Sequence, residues 1–434
     1  MCWAECTQGI RSAKGASGRG AARRSRPARR RGDRFEFRRQ LTVPRARRRA
    51  SPVREERVTE WRPRLRESVI VQAEGHELLF LCTADRTVKR FAADDFVKHV
   101  IKLLDGTRTY AEIERSVGDS QALGEVLQIL TEERLLSRVG DLESSFSKLG
   151  EERAEFYDRQ LRLLQDFCDQ GRADVICGAR LQERVDRSTA VVCGVGGLGG
   201  WVVLSLANAG VGTVRLCDFD RVEPSNLTRQ ALFALADVGA PKVEAAAARL
   251  RAANPFVTVE TFDRRVTSSA DLTDLVDGAG IVINAMDLPT PNDTATWVSE
   301  ACRPDVPHIL GTGYAYHIGV LGATVLPGRT ACWACVRAAT FADHGRHRME
   351  SLIGKRQKAG AIGALCGLVG TILAWEAIRV LTGLEPALSG KWSEVDFWPL
   401  EIRSRPIPRR PDCPICGEER GGAPFQRPDG SDHP

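Results

Sequence analysis

The chain has 434 residues, 43% of them apolar and 27% charged, which is enough to bury more than one core and excludes a small disulfide-stapled domain. Its net charge of +6 is uneven: residues 1–60 carry 18 Lys/Arg against 6 Asp/Glu, a balance of +12 that leaves −6 for the remainder. The basic character belongs to an N-terminal arm, so nucleic acid is not the expected partner of the folded body, which reads as α/β.

Residues 1–62 read as a disordered arm. Ala21–Arg31 is mostly Arg, Ala, Ser and Pro, with too few large apolar side chains to offset the entropy of ordering. The arm reads as a solvated tail or an upstream-extended reading frame, with nucleic acid or an acidic surface as the alternative partner, and it lacks the apolar core of a secretory signal. Residues 63–138 form a small α+β module. It opens with the alternating runs Val69–Gln72 and Leu78–Cys82 around a turn at Glu74-Gly75. Three helical segments follow: one from Asp94-Asp95 to Gly106, one capped by Thr109 with Glu112, and one from Ser120 to Leu136. The outline is a winged helix. A DNA reader would show several basic residues on its last helix, and this one offers Arg134 near its end. Peptide binding by strand addition to the module's sheet edge fits better. A helical linker spans 139–154.

The body, residues 155–420, reads as a Rossmann-like fold with a mostly parallel sheet. The β-branched run Val191-Val-Cys193 enters the turn Gly194-Val-Gly196-Gly197-Leu-Gly199 and leaves into a helix, which aims backbone N–H groups at a phosphate. Asp218 follows 19 positions after Gly199, ending the next strand where a ribose hydroxyl is held. Asp220, Asn226 and Arg229 follow in a loop, and Lys242 opens the next helix. A further strand, Gly280–Asn284, ends near Asp287, which is placed to share a crevice with Asp218. Attack of a carboxylate on an α-phosphate brings anions together and needs cations and Mg²⁺ to offset the charge. Arg229, Lys242 and Asp287 are residues of those types. A nicotinamide dehydrogenase remains the rival reading of the glycine turn alone.

Cys332-Trp-Ala-Cys335 and Cys413-Pro-Ile-Cys416, separated by 77 residues, have the spacing of a closed four-thiolate zinc site. A redox dithiol is the alternative for either pair. The other cysteines of the 13 include Cys193, Cys217 and Cys366 inside apolar runs, a pattern of reduced thiols that suggests the cytoplasm. Ala359–Trp375 is uncharged over 17 residues but carries Gly360, Gly363, Gly367 and Gly370, and runs into Glu376. It reads as a tightly packed buried helix, so no membrane partner is expected. A disordered tail is expected at 421–434.

Taken together, Tyr157-Asp-Arg-Gln160, the glycine turn, Asp218-Phe-Asp220, Asn226-Leu-Thr-Arg-Gln230, Gly239-Ala-Pro-Lys242, Asn254-Pro255, Asp287, both cysteine pairs and Leu373–Ile378 resemble the ThiF/MoeB/HesA family, relatives of ubiquitin-activating enzymes. The resemblance implies ATP-dependent adenylation of the C-terminal carboxylate of a peptide or a ubiquitin-like carrier protein. It implies that Asp218 binds ribose, that Asn226, Arg229 and Lys242 bind phosphates, and that Asp287 holds Mg²⁺. It also implies a homodimer in which Arg159 reaches into the partner subunit's site. Leu103–Ile113 resembles the PqqD-like leader-peptide recognition domains of ribosomal peptide biosynthesis, with a plain scaffold domain as the alternative. One departure stands out: Val336–Leu365 contains no cysteine, where many relatives carry the thiol used for thioester or persulfide chemistry. The loop is basic instead, and its His344 and His347 are either acid–base groups or bystanders. The acyl-adenylate would then be trapped by a substrate nitrogen or an external sulfur donor. Activation of a sulfur carrier and a non-catalytic peptide-presenting scaffold are the other readings.

Overall fold

The computed structural model describes residues 37–40, 61–139, 146–302, 305–344 and 360–417. His347 and the expected tail at 421–434 lie outside them.

The N-terminal module is a four-stranded sheet with three helices packed on it. Strands β1 (Phe37–Gln40), β2 (Val69–Glu74), β3 (Glu77–Cys82) and β4 (Thr87–Ala92) lie in the order β1-β4-β3-β2, with β2, β3 and β4 antiparallel. The alternation along β3 sends Leu78, Phe80 and Cys82 into the core, where Phe80 meets Phe91 edge-on at 5.5 Å. Two features differ from expectation. Phe37–Gln40, in the arm read as disordered, pairs in parallel with β4. The strand β4 escapes a hydrophobic-pattern reading because Lys89 and Arg90 interrupt it.

Helix Asp95–Leu103 is capped by Asp94, which accepts from Val97 N at 2.9 Å. Helix Tyr110–Val117 begins with the expected Thr109–Glu112 capping box and ends at Gly118. The third helix, Ser120–Glu132, stops short of Leu136 because Arg134 takes φ 55° and Leu135 N turns back to Leu130 O. Arg134 thereby leaves the helical surface and donates to Gln170 O of the body.

The module is tied to the body through helix Asp158–Asp169. Arg66, 4% exposed, donates to Asp166 Oδ1 at 3.0 Å and to Arg134 O at 2.7 Å. Asp169, beside it, accepts from Arg138 N at 2.7 Å and from Gln165 at 2.9 Å. Phe146, in the stretch read as a linker, is buried against Tyr157 and Leu161.

The body is one nine-stranded mixed sheet. Its parallel half comprises β5 (Thr189–Cys193), β6 (Thr213–Asp218), β7 (Thr258–Asp263), β8 (Ile281–Asn284) and β9 (His308–Leu310). The short β10 (Gly313–Ala315) pairs with β11 (Ile318–Val325), and β12 (Lys391–Asp396) and β13 (Glu401–Pro406) complete an antiparallel half. The order is β13-β12-β11-β9-β8-β5-β6-β7. The chain runs outward from β5 through β6 to β7, then returns to place β8 on the other side of β5. That reversal opens a crevice beyond the carboxyl ends of β5 and β8.

Helix Gly363–Thr382 is the one described helix long and apolar enough to cross a membrane. It packs instead on helix Gly197–Asn208. A Cβ on Gly370 would lie 2.6 Å from Trp201 Cβ, so the glycines of this stretch let two backbones approach. Its Glu376, 2% exposed, accepts from Thr324 Oγ1, Ala387 N and Leu388 N, all at 2.8 Å.

Candidate active site

The crevice is built by backbone first. Gly194 ends β5 at φ 93°, its N–H bonded to Cys217 O, and a Cβ there would lie 2.7 Å from Ala285 O. A Cβ on Gly199 would lie 1.8 Å from Gly194 O, so the turn closes only with glycine at that position. Gly199→Ala is therefore expected to cost at least about 3 kcal/mol and lower Tm by roughly 10 °C in a thermal melt. A melt within 2–3 °C of wild type would contradict this geometry. Gly196 and Gly197 begin helix Gly197–Asn208, which no side chain caps, so its first N–H groups remain available to an anion.

The far end of that helix is held by residues of the sequence motifs. Asn254 Nδ2 donates to Ala207 O at 2.7 Å and to Tyr157 Oη at 2.8 Å, and Gln160 donates to Ala209 O at 2.8 Å. Tyr157, Gln160 and Asn254 thus brace the helix.

Asp218 closes the turn from the other side. Its carboxylate accepts from Val195 N at 2.7 Å and from Asp220 N at 2.9 Å. Burial raises its pKa, and the nearby Lys242 charge opposes that rise. Lys242 opens helix Lys242–Ala253 and is 7% exposed, with Nζ 2.6 Å from Asp220 Oδ2. Asn226, 5% exposed, holds its own loop by accepting from Glu223 N at 3.1 Å. Arg229 donates to Ser225 O at 2.7 Å, and its Cδ lies 3.6 Å from where a Gly197 Cβ would be.

Asp287 stands two residues beyond Ala285, exposed, and has no hydrogen bond or ion pair with another described residue. A free carboxylate at the rim suits a hard cation such as Mg²⁺. The strand end beneath it is fixed, because Asn284 bonds to Thr294 Oγ1 at 3.1 Å and its carbonyl accepts from Thr312 at 2.5 Å.

Arg159 does not join this group within one chain. It is exposed on helix Asp158–Asp169, lining a groove with Glu67, Ser68 and Asp166 at the module's base. A wider groove of about 930 Å³ lies beside Gly280 and Pro307, just before β8 and β9 begin. Those are the amino ends of the strands, opposite the crevice.

Two residues were not singled out from sequence. Gln230, 3% exposed, has its Nε2 3.9 Å from a Gly196 Cβ position and its Oε1 without a partner. It ends the motif Asn226-Leu-Thr-Arg-Gln230, the signal that could have found it. Tyr314, from β10, places its hydroxyl 3.1 Å from a Gly197 Cβ position, and no local pattern marks it. Cys366, read as an inert core thiol, is buried but lies beside the same glycine, 3.4 Å from that position. Burial raises its pKa.

The four paired cysteines converge. Cys332 Sγ and Cys413 Sγ are 3.6 Å apart, as are Cys335 Sγ and Cys416 Sγ, and all four sulfurs lie within 4.8 Å of one another. A tetrahedron with Zn–S bonds of about 2.3 Å has edges of about 3.8 Å, so the donor set fits zinc. Arg410 N donates to Cys335 Sγ at 3.5 Å.

The switch-point crevice, the glycine turn at a helix N-terminus and the lysine and arginine around it define a class: an enzyme that handles a nucleotide on a Rossmann-like sheet. The chain belongs to the ThiF family, whose model matches residues 157–415, and it is an adenylyltransferase. It is 34% identical over 249 residues to the sulfur carrier protein adenylyltransferase of Thermus thermophilus, covering 56% of this chain and 87% of that one. It is 35% identical over 242 residues to the SAMP-activating enzyme E1 of Haloferax volcanii, covering 56% and 84%. The structure is similar to that of E. coli MccB solved with ATP, at TM-score 0.62 and 21% identity, over 82% of this chain and 99% of that one. Residues 157–434 make up only 64% of the chain, so the likeness to MccB takes in the N-terminal module as well.

Proposed function

We propose that this chain uses ATP and Mg²⁺ to adenylate the C-terminal carboxylate of a peptide, held by a PqqD-like, winged-helix module at residues 63–138 and activated in a body at 155–420. One observation carries the choice of substrate. The sulfur-carrier relative is covered over 87% of its length by just 56% of this chain, whereas the fold shared with MccB includes the module. MccB is described as a microcin C7 biosynthetic enzyme and was solved in complex with N-formylated MccA, at TM-score 0.63 and 21% identity. A modified-peptide pathway in the cytoplasm is the setting this supports. Activation of a sulfur carrier stays as the second reading, favoured by the names of the relatives at 34% and 35% identity.

In the proposed reaction a carboxylate oxygen of the peptide attacks the α-phosphorus, and the bond to the bridging oxygen breaks to release pyrophosphate. The N–H groups at Gly196, Gly197 and Gly199, with Asn226, Arg229 and Lys242, offset the charge that collects on the phosphoryl oxygens. Asp218 accepts a ribose hydroxyl. Asp287 would hold Mg²⁺, which would supply positive charge to offset that of the triphosphate. Lys242, paired with Asp220 in the structure, turns its ammonium toward the phosphate and keeps its proton. Arg159, exposed and outside its own crevice, serves the second subunit of a homodimer. Val336–Leu365 has no cysteine, and Cys366 is buried with a raised pKa, so the acyl-adenylate is trapped by a substrate nitrogen or an outside sulfur donor, which bonds to the acyl carbon as AMP leaves. Zinc at Cys332, Cys335, Cys413 and Cys416 is structural, with no position left for water.

The test is pyrophosphate exchange into ATP with a candidate peptide, together with calorimetry against leader peptide and carrier protein. Exchange that depends on the peptide, with leader binding lost on deleting residues 63–138, is expected. Exchange supported by a ubiquitin-like carrier and by no peptide would move the assignment to the second reading.

A further inference from the structure

Three side chains from separate parts of the chain close over the first residue of the glycine helix. From the position a Gly197 Cβ would take, Tyr314 Oη is 3.1 Å away, Cys366 Sγ 3.4 Å and Arg229 Cδ 3.6 Å. They are linked in series. The Tyr314 hydroxyl interacts with both the Arg229 guanidinium and the Cys366 thiol, so it stands between them. Arg229 also donates to Ser225 O at 2.7 Å.

A guanidinium is a flat fork of five N–H groups, so two acceptors on different sides fix both its position and its plane. Ser225 supplies one from the arginine's own loop. Tyr314 supplies the other from β10, whose approach is set by the bond from Thr312 Oγ1 to Asn284 O at 2.5 Å. Cys366, 1% exposed, is the sulfur acceptor within reach of the phenol's only proton, and we take the bond to run from that hydroxyl to the sulfur. With that proton turned away, a phenol lone pair is left facing Arg229.

We propose that Tyr314 is a positioning residue for Arg229, with Cys366 setting the direction of its hydroxyl. Together they hold the guanidinium's remaining N–H groups toward the phosphates of the nucleotide, an assignment that rests on the adenylation reading. The cysteine's part is that of a hydrogen-bond acceptor. Preorganising a charged donor in this way lowers the ordering cost of binding an anion.

The experiment is calorimetry of the full chain with Mg²⁺ and the ATP analogue AMPCPP. Tyr314→Phe keeps the ring and removes the oxygen, and about a tenfold rise in Kd is expected. The deciding measurement is a double-mutant cycle: if Tyr314 acts through Arg229, then Tyr314→Phe adds less than twofold in an Arg229→Ala background. A purely structural tyrosine would cost the same tenfold in both backgrounds, and that result overturns the proposal. A single mutant within twofold of wild type also overturns it. Should Tyr314→Phe fail to fold, the cysteine carries the test. Cys366→Val is expected to weaken binding several-fold, and Cys366→Ser, which keeps an acceptor, to recover most of that loss; equal affinities would count against the series. A wild-type chain that takes no nucleotide removes the adenylation reading and this proposal with it. A wild type that binds, paired with an additive cycle, removes the proposal alone.

Discussion

Lys242→Ala is expected to lower pyrophosphate exchange by about 10²–10³-fold while leaving the fold intact. The lysine is 7% exposed and rests on Asp220, which is itself 45% exposed. Removing the cation therefore leaves Asp220 free to recover hydration, and the stability cost is limited to about 1 kcal/mol. The catalytic cost has no such relief, because in the proposed reaction the cation faces charge that grows as pyrophosphate departs. Asp287→Asn is the companion variant. Its carboxylate has no described protein partner, so the thermal melt should stay within a degree or two of wild type. Exchange should fall by a similar factor, with part of it restored at high Mg²⁺. Full exchange activity in either variant would withdraw the site assignment, whatever the substrate.

Removing zinc is expected to have the largest effect on stability. Structural zinc sites contribute apparent binding free energies of about 10–16 kcal/mol in small peptides, and here the cluster joins chain segments 77 residues apart. About one zinc per chain is expected by atomic emission. Chelation, or Cys413→Ser, should lower Tm by more than about 10 °C, with the loss reversed by added Zn²⁺ in the chelated protein. Cys413 is the thiol best placed to ionise first: burial pushes it up, but the N–H groups of Cys416 and Ile415 and the neighbouring thiols bring it down to about 6. A metal-free protein as stable as the loaded one, with a disulfide formed across the pairs on oxidation, would support the redox reading in place of zinc.

Much of the crevice is legible in sequence because its chemistry is local. A strand, a glycine turn and a helix follow one another within 20 residues, and Asp218 lies one βα unit further on. What escapes is what depends on distant pairing. Tyr157, Gln160 and Asn254 belong to a recognisable motif, yet only the fold shows that they hold the back of the glycine helix. Tyr314 stands on a three-residue strand with no periodicity to mark it. The strand β4 escapes because its half-buried Lys89 and Arg90 break the alternation that β3 keeps, and Lys89 is accommodated by pairing with Glu133, 44 residues away. The Arg66–Asp166 pair joins residues 100 apart and has no linear trace. Arg159 is exposed in the single chain, at the module's base and apart from the crevice.

The bracing of helix Gly197–Asn208 has a mechanical consequence. With one end pinned by Asn254 and Gln160 and the other set close against Gly194 and Ala285, it is anchored at both ends. Its dipole cannot swing or retreat, so a phosphate arriving at the free end meets a field already aimed. Little binding free energy would then be diverted into arranging the backbone, and more of it is left to bring the attacking carboxylate into line.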